Sequence, residues 1–276
     1  FLGRDEIDEH LGDAPDELQR AVAALRRLGY MIDGDPETGC RLCSDVEVVL
    51  RDEVSKGLKS EGIGRDIAYH LEVSSTNDLA LRAASEGAPH GAVIAAENQT
   101  AGRGRLGRRW HSPPGLGLWF STIVRPDPVS DPGRLTLGAA VAVADAVRDV
   151  CGVDTHLVWP NDVWVAGHKL AGILTETRMD EASIDYAAVG VGVNVNHTED
   201  DFPEEVRDMA PSLKIATGRS QPRSGLLRSI LEALEAVLDL PPARIRDLWR
   251  DRSAMWGRRV QITGGSGAAE GVAEDL

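Results

Sequence analysis

The 276-residue sequence predicts an α+β fold in which a mixed β-sheet is flanked by helices. Short apolar runs of strand length and longer helical stretches follow one another without the strict alternation of a βαβ fold. Residues 189–196 alternate valine with glycine or asparagine, as a strand with two different faces does. Residues 135–150 form an alanine-rich stretch that is long enough to cover such a sheet as a helix.

Apolar spacing predicts the remaining elements of a main domain, which we assign to residues 45–253. A connecting helix is expected within residues 44–58, and further helices are expected at 77–86 and 224–238. Strands are expected at 67–72, 92–96, 118–124, 155–159, 163–165, 169–177 and 186–195.

The two ends of the chain predict smaller modules. Within residues 1–44, a short helix at 5–11, a second helix at 15–28 and a hairpin at 30–42 resemble a winged helix-turn-helix whose first helix is missing. Residues 254–276 contain a strand-like run and stop abruptly, which predicts an incomplete β module.

DNA binding by the N-terminal module remains an open alternative to a structural or regulatory role. The second helix begins Pro15-Asp16-Glu17, so its acids would face DNA phosphates, and only Arg20, Arg26 and Arg27 are there to compensate. The formal charge of −14 also argues against general affinity for nucleic acid, which requires a basic surface.

Composition bounds the class of protein further. The sequence has no apolar run of about 18 residues and no N-terminal signal segment, so we expect a cytoplasmic protein without membrane attachment. Cys40 and Cys43 have no second Cys or His pair at zinc spacing nearby, which favours small half-buried residues over a metal or redox site.

The strongest functional signal is residues 102–110, Gly-Arg-Gly-Arg-Leu-Gly-Arg-Arg-Trp, here called the arginine loop. Glycines let backbone amides approach an oxyanion, guanidinium groups match phosphate and carboxylate, and Trp110 offers a face to a base. The loop fits the G-x-G-x-x-G motif, but residues 112–115, Ser-Pro-Pro-Gly, would end the helix that a dinucleotide fold needs. We therefore expect a flexible flap that an anionic ligand orders, with a solvated basic loop as the alternative.

Four other segments carry ligand-type side chains, and each has a plainer interpretation. Residues 74–77 offer hydroxyl and amide groups, or simply an N-cap. Asn161 and Asp162 could orient a magnesium-bound phosphate or a ribose, or form an ordinary turn. Lys169 could stabilise charge between a carboxylate and an α-phosphate, or lie at a strand edge in solvent. The glycine and asparagine face of residues 189–196 could carry a ligand or face solvent.

Together these motifs resemble the biotin protein ligase family, in its bifunctional form with an N-terminal winged helix. The resemblance extends over essentially the whole chain. It implies a core related to class II aminoacyl-tRNA synthetases and an SH3-like C-terminal domain, here incomplete. It is carried by residues 75–77, Gln99, the arginine loop, and residues 159–162, 169–174 and 190–194.

The resemblance implies that biotin and MgATP condense to biotinyl-5′-AMP, and that biotin then passes to a lysine of a biotin carboxyl carrier protein domain. ATP, Mg²⁺ and biotin are thus the expected small molecules, and a homodimer and biotin-dependent transcriptional regulation are further expectations. A lipoate ligase, which shares the adenylation step, and a DNA-binding biotin sensor without ligase activity are the alternatives.

The same resemblance implies roles for individual residues. Lys169 and Arg105 would be catalytic, Trp110 would stack on adenine, and Asp162 would reach Mg²⁺ through phosphate. Val158 stands where the family usually carries a basic residue, which removes one positive charge from the nucleotide side. Biotin would contact Ser75, Thr76, Asn77, Gln99, Arg103, Arg105, Lys169 and Gly172, and ATP would contact Gly102, Gly104, Gly107, Arg108, Trp110, Asn161, Asp162 and Asn194.

Overall fold

The computed structural model describes residues 2–3, 15–27, 32–42, 49, 51–126, 131–180, 183–264 and 267–275. The helix predicted at 5–11 lies outside the described residues, as do most of residues 43–50, where the connecting helix was expected to begin.

A seven-stranded sheet forms the centre of the molecule and confirms the predicted mixed sheet. The strand order is β4-β5-β6-β10-β9-β8-β7, in which β4 and β5 are parallel and every other pair is antiparallel. The strands are β4 Ile67–Val73, β5 Val93–Gln99, β6 Gly117–Val124, β7 His156–Val158, β8 Asp162–Val165, β9 His168–Asp180 and β10 Ser183–Asn194.

Helices cover both faces of this sheet. The long helix α4, Pro132–Cys151, packs with α6, Arg223–Leu238, and α7, Pro242–Arg252, over the main apolar cluster. Strand β5 contributes Val93 and Ala95 to that cluster. Ile94, between them, points the other way and joins a smaller cluster under α3. The helices are α2 Arg51–Ser55, α3 Thr76–Ser85, α4 Pro132–Cys151, α5 Leu213–Thr217, α6 Arg223–Leu238 and α7 Pro242–Arg252.

Local signals explain where α4 begins and ends. The side chain of Asp131 accepts a hydrogen bond from the Gly133 amide, and Pro132 occupies the first turn, where its missing N–H costs nothing. Gly152 ends the helix at φ 68°, a left-handed conformation that glycine adopts without strain.

The N-terminal segment contains strand β1 Leu2–Gly3, helix α1 Pro15–Arg27 and strands β2 Ile32–Asp35 and β3 Gly39–Leu42. The three strands pair in the order β1-β3-β2. The Arg26 guanidinium joins helix to hairpin by donating to the carbonyls of Ile32 and Gly34, at 3.1 and 2.7 Å. The helix and hairpin expected from sequence are present, and their assignment as a winged helix stays a prediction.

The C-terminal residues form a hairpin of β11 Arg259–Gly264 and β12 Gly267–Val272. Met255 and Trp256, which precede the hairpin, pack against the main core. The backbone of Ser253 forms an isolated parallel β-bridge with Leu157 of β7. The domain boundaries after residues 44 and 253 and the SH3-like assignment remain predictions. Within the described part of the chain, none of the helices combines the length and apolarity needed to cross a membrane.

Candidate active site

An open cleft lies on the α3 side of the sheet. Its lining comes from the start of α3, the end of β5, the arginine loop and the central strands β9 and β10. Ten residues predicted from sequence line it: Ser75, Thr76, Asn77, Gln99, Arg103, Gly104, Trp110, Asn161, Lys169 and Gly172. The strand residues Ile173, Leu174, Gly190, Val191 and Gly192 complete the lining.

The floor of the cleft is made by glycine. Gly172 and Gly192 are direct partners across β9 and β10, and the indole of Trp110 lies over both. A Cβ at Gly192 would stand 2.5 Å from Trp110 Nε1, so only glycine fits under the ring. The indole N–H is buried against this floor and has no acceptor among the described residues.

One end of the cleft is polar and tightly hydrogen-bonded. Ser121 of β6 donates its one hydroxyl proton to Asn77 Oδ1 at 2.6 Å, and its oxygen lies within hydrogen-bond distance of the Thr76 hydroxyl, at 2.8 Å. Gln99 Oε1 accepts from the Thr76 amide at 2.9 Å. Ser75 takes the N-cap position of α3, yet its hydroxyl makes no capping bond. The Ser75 hydroxyl is therefore not used as a cap, and Ser75 lines the cleft.

An ion cluster joins this polar end to the arginine loop. Arg103 forms a bidentate pair with Asp78, at 2.7 and 2.9 Å, and also reaches Glu176 Oε2 at 2.8 Å. Hydrogen bonding to Asp78, above all, raises the pKa of Arg103, so this guanidinium stays charged. Glu176 Oε2 also accepts from Asn77 Nδ2 at 2.7 Å.

The arginine loop is folded back on itself as a closed turn. The backbones of Arg103 and Arg109 pair in an isolated antiparallel β-bridge. The Gly104 amide donates to the Arg108 carbonyl at 2.7 Å, and the Trp110 amide donates to the Gly102 carbonyl at 2.9 Å. The tip is a single 3₁₀ turn, Arg105–Gly107, with no following helix, which agrees with the exclusion of a dinucleotide fold. The flap predicted from sequence has the shape of a hairpin whose exposed tip carries arginine.

The other end of the cleft combines Asn161, Asp162 and Lys169. Lys169 Nζ lies 2.7 Å from Asp162 Oδ1 and 5.3 Å from the centroid of the Trp110 ring, so it is turned into the site and is not a solvated edge lysine. Asn161 Nδ2 donates to the Ile173 carbonyl at 2.7 Å, which ties the turn before β8 to β9. Arg105 Nη1 approaches Asn161 Oδ1 at 3.5 Å.

Some predicted residues do not line the cleft. Arg105 adjoins the cleft through its contact with Asn161, and Asp162 adjoins it through its ion pair with Lys169. Gly102 supports it from beneath, because a Cβ there would stand 2.7 Å from both Ser112 Oγ and the Trp110 carbonyl. The remaining three predicted residues lie away from the lining: Gly107 and Arg108 at the exposed loop tip, and Asn194 buried at the end of β10 with its amide donating to the Pro211 carbonyl at 3.2 Å.

A row of rings extends from the cleft into the protein. Trp110 meets Trp119 edge to face, Trp119 meets His197 in the same way, and His197 stacks on Phe202 with centroids 4.7 Å apart. His197 is fully buried, and neither ring nitrogen has a hydrogen-bond partner among the described residues. Burial lowers the pKa of His197 to about 3, so the ring is neutral.

Sequence reasoning missed Asp78, Glu176 and Ser121. Asp78 stands in the first turn of a helix, where any acid is favoured, and Glu176 lies in a polar stretch that reads as solvent-exposed. Ser121 lies within an otherwise apolar strand, which is the one local signal for a buried polar contact.

Comparison with known proteins connects this cleft to a family. The sequence model of the Biotin/lipoate A/B protein ligase family matches residues 70–194, the span that contains the whole cleft lining. The chain is 38% identical over 236 residues to the bifunctional ligase/repressor BirA of Bacillus subtilis, covering 85% of this chain and 73% of that protein. It is 38% identical over 224 residues to the biotin–[acetyl-CoA-carboxylase] ligase of Mycobacterium tuberculosis, covering 77% and 80%.

Comparison of the fold with solved structures also finds biotin protein ligases. A biotin protein ligase from Aquifex aeolicus, solved in complex with biotin and ATP, aligns with a TM-score of 0.63 at 27% identity, covering 76% of this chain and 97% of that one. The chain therefore belongs to the biotin protein ligase family.

Proposed function

We propose that this chain is an ATP-dependent biotin protein ligase. It activates biotin as biotinyl-5′-AMP and transfers biotin to a lysine of a biotin carboxyl carrier protein domain. The observation that carries the proposal is the position of Lys169. Its ammonium adjoins Gly172 of the glycine floor at the end of the cleft formed with Asn161 and Asp162, and it faces the Trp110 ring.

This arrangement suits a reaction between two anions. The biotin carboxylate attacks the α-phosphorus of ATP, a new P–O bond forms, and pyrophosphate leaves with the electron pair of the broken bond. Lys169 neutralises charge where the carboxylate and phosphate meet, and Asp162 holds it there at 2.7 Å. The attacking oxygen comes from biotin itself, so the protein supplies orientation and charge but no covalent intermediate.

In the second step the acceptor lysine, as a free amine, attacks the biotinyl carbonyl carbon. A C–N bond forms, AMP leaves with the electron pair of the broken C–O bond, and the proton that the amine loses passes to solvent. The mixed anhydride must be kept from water until then. Trp110 on the glycine floor and the arginine loop above it are the groups placed to cover it.

The residue assignments follow the same division. Ser75, Thr76, Asn77, Gln99 and Gly172 belong to the biotin end, and the Trp110 ring is offered to adenine. Asn161, Asp162, Asn194, Arg108 and the loop glycines Gly102, Gly104 and Gly107 belong to the ATP side. Mg²⁺ would arrive as MgATP, and Asp162, next to Lys169, would reach the phosphate-bound ion.

The test is a pair of assays on the purified chain. Pyrophosphate release should require both biotin and MgATP, and a carrier domain added afterwards should become labelled on lysine. An Arg105→Ala variant should lose most adenylation. Release that proceeds with lipoate but not with biotin would refute the proposal in favour of a lipoate ligase.

Biotin-dependent DNA binding is the second candidate function, favoured by the ligase/repressor relative in Bacillus subtilis. The described helix α1 and hairpin fit a winged module, which we assign to residues 1–44. Arg26, however, is occupied by the hairpin carbonyls, and Arg20 Nε donates to the Asp16 carbonyl at 3.0 Å, so few guanidinium N–H groups of the helix remain for phosphate. Selection of duplexes from a random DNA pool, with and without biotin and MgATP, tests this role. Retained duplexes that depend on both ligands would support it.

The remaining parts of the proposal concern organisation and place. Residues 45–253 would form the catalytic domain and residues 254–276 part of an SH3-like domain, and the chain would act in the cytoplasm, alone or as a homodimer. Light scattering of the purified chain with biotin and MgATP measures its oligomeric state.

A further inference from the structure

We propose that Glu176 and Asp78 are positioning residues of the biotin end: they hold Asn77 and Arg103 in place, and they leave Arg105 as the cation for the ligand's carboxylate. This inference rests on the proposed biotin ligase function. It assigns roles to two acidic residues and separates the roles of two arginines that the family resemblance treats alike.

Glu176 fixes which way the Asn77 amide points. A carboxylate only accepts hydrogen bonds, so the Asn77 atom 2.7 Å from Glu176 Oε2 must be the NH₂ nitrogen. The second N–H of that nitrogen is used by the Leu174 carbonyl at 3.1 Å. Asn77 Oδ1 accepts from the Ser121 hydroxyl. It lies so close to Gly190 that a Cβ at that position would be only 2.2 Å from it.

The consequence is a site of fixed polarity. With both N–H groups occupied, Asn77 can offer a ligand only the free lone pair of its oxygen. The ligand group that meets it must therefore be a donor, as a ureido N–H is. Without Glu176 only the weaker contact with the Leu174 carbonyl, at 3.1 Å, still holds the NH₂ group on that side, so the orientation of the amide is held less firmly. Glu176 thus acts on specificity through Asn77, without touching the ligand itself.

Arg103 has no charge left for a ligand. Its guanidinium lies between two carboxylates, with contacts of 2.7 to 3.1 Å to Asp78 and Glu176, and these three groups sum to one negative charge. A third carboxylate would approach a net negative cluster. Arg105 is exposed, and among the described residues its guanidinium makes one hydrogen bond, a long one of 3.5 Å to Asn161 Oδ1. Arg105 is therefore the guanidinium free to meet the ligand's carboxylate.

The first test replaces Glu176 and separates binding from turnover. Glu176→Ala should raise the KM for biotin about tenfold, while kcat and the KM for ATP change less than about threefold. Glu176→Gln keeps an acceptor for Asn77 but loses the ion pair, so it should recover most of the biotin KM. Glu72→Gln is the matched control, since Glu72 lies on β4 and accepts only from Asn98 among the described residues. Urea unfolding of each variant reports stability.

The second test uses biotin and its uncharged methyl ester as probes for the two arginines. Wild-type protein should bind biotin more tightly than the ester. Arg105→Gln should abolish that preference by weakening biotin alone, whereas Arg103→Gln should weaken both probes by a similar factor. The reverse pattern, or a Glu176→Ala variant within about twofold of wild type for the biotin KM, would overturn the inference. Wild-type protein that binds no biotin would instead refute the proposed function.

Discussion

Gly172 and Gly192 lie opposite each other on β9 and β10, and together they leave a depression one indole wide, which Trp110 occupies. The neighbouring strand positions carry side chains that point into the core, such as Val191 and Ile173. The depression therefore exists because two glycines meet in register, which the separate sequence motifs do not show by themselves.

Gly192→Ala should displace Trp110. The added Cβ would stand 2.5 Å from the indole nitrogen, and overpacking of this kind costs about 1–3 kcal/mol. We expect the affinities for ATP and biotin to fall by about tenfold each, with a shift in tryptophan fluorescence. Gly225→Ala on α6 is the control, because its Cβ would make ordinary contacts with Pro222. Affinities within about twofold of wild type would contradict the role of the depression.

Lys169→Ala should separate chemistry from binding. The ammonium meets charge that develops between carboxylate and phosphate, so its loss should lower the rate of adenylation by about 10²–10³-fold. Biotin affinity, measured by calorimetry without ATP, should change less than about threefold. Lys59→Ala is the control, since that side chain is exposed and outside the cleft. Equal losses in rate and affinity would mean that Lys169 contributes binding alone.

Local pattern was enough to predict most of the fold. The strand expected at 67–72 is Ile67–Val73, and the helix expected at 135–150 is Pro132–Cys151. Both could be predicted because apolar spacing and helix caps depend only on residues that are close in the sequence. Helix α7, Pro242–Arg252, was missed because arginine and aspartate interrupt its apolar face, of which only Ile245 and Trp249 are buried.

Contacts between distant residues could not be predicted in the same way. Glu176 meets Arg103 across 73 positions, and Glu97 meets Arg223 across 126. Each of these side chains, seen alone, reads as an exposed charge. Ten of the residues that line the cleft could be picked out from the sequence, because their types are unusual in a strand or loop. The charges that position them become visible only when the sheet is assembled.

Arg223→Met should destabilise the whole domain. Glu97 and Arg223 are 0% and 1% exposed and lie 3.1 Å apart, and Glu97 also accepts from the amides of Val49 and Gly115. Removing the arginine leaves a buried carboxylate uncompensated, which costs about 3–5 kcal/mol. Urea unfolding measures this.

The matched control is Arg207→Met, whose partner Asp200 lies 3.8 Å away at the surface. An exposed pair of that kind contributes at most about 1 kcal/mol. A loss no larger for Arg223→Met than for this control would show that Glu97 is accommodated without its partner.

His197→Phe should remove part of the loss of stability in mild acid. The folded-state pKa of about 3 lies below the ordinary 6.5, because burial opposes charge on the ring, and nearby Asp201 only partly offsets this. The unfolded chain therefore takes up a proton below pH 6.5 that the folded chain refuses. Stability from this group is present above pH 6.5 and falls as the pH drops toward 3.

The size of the effect follows from linkage. Between pH 7.5 and 5.5, wild-type protein should lose about 1.4 kcal/mol more of its unfolding free energy than His197→Phe does. Phenylalanine keeps a ring against Phe202 and Trp119, and any packing cost it adds is the same at both pH values. The measurement is urea unfolding at the two pH values. Parallel losses in the two proteins would mean that the buried ring takes up its proton without unfolding.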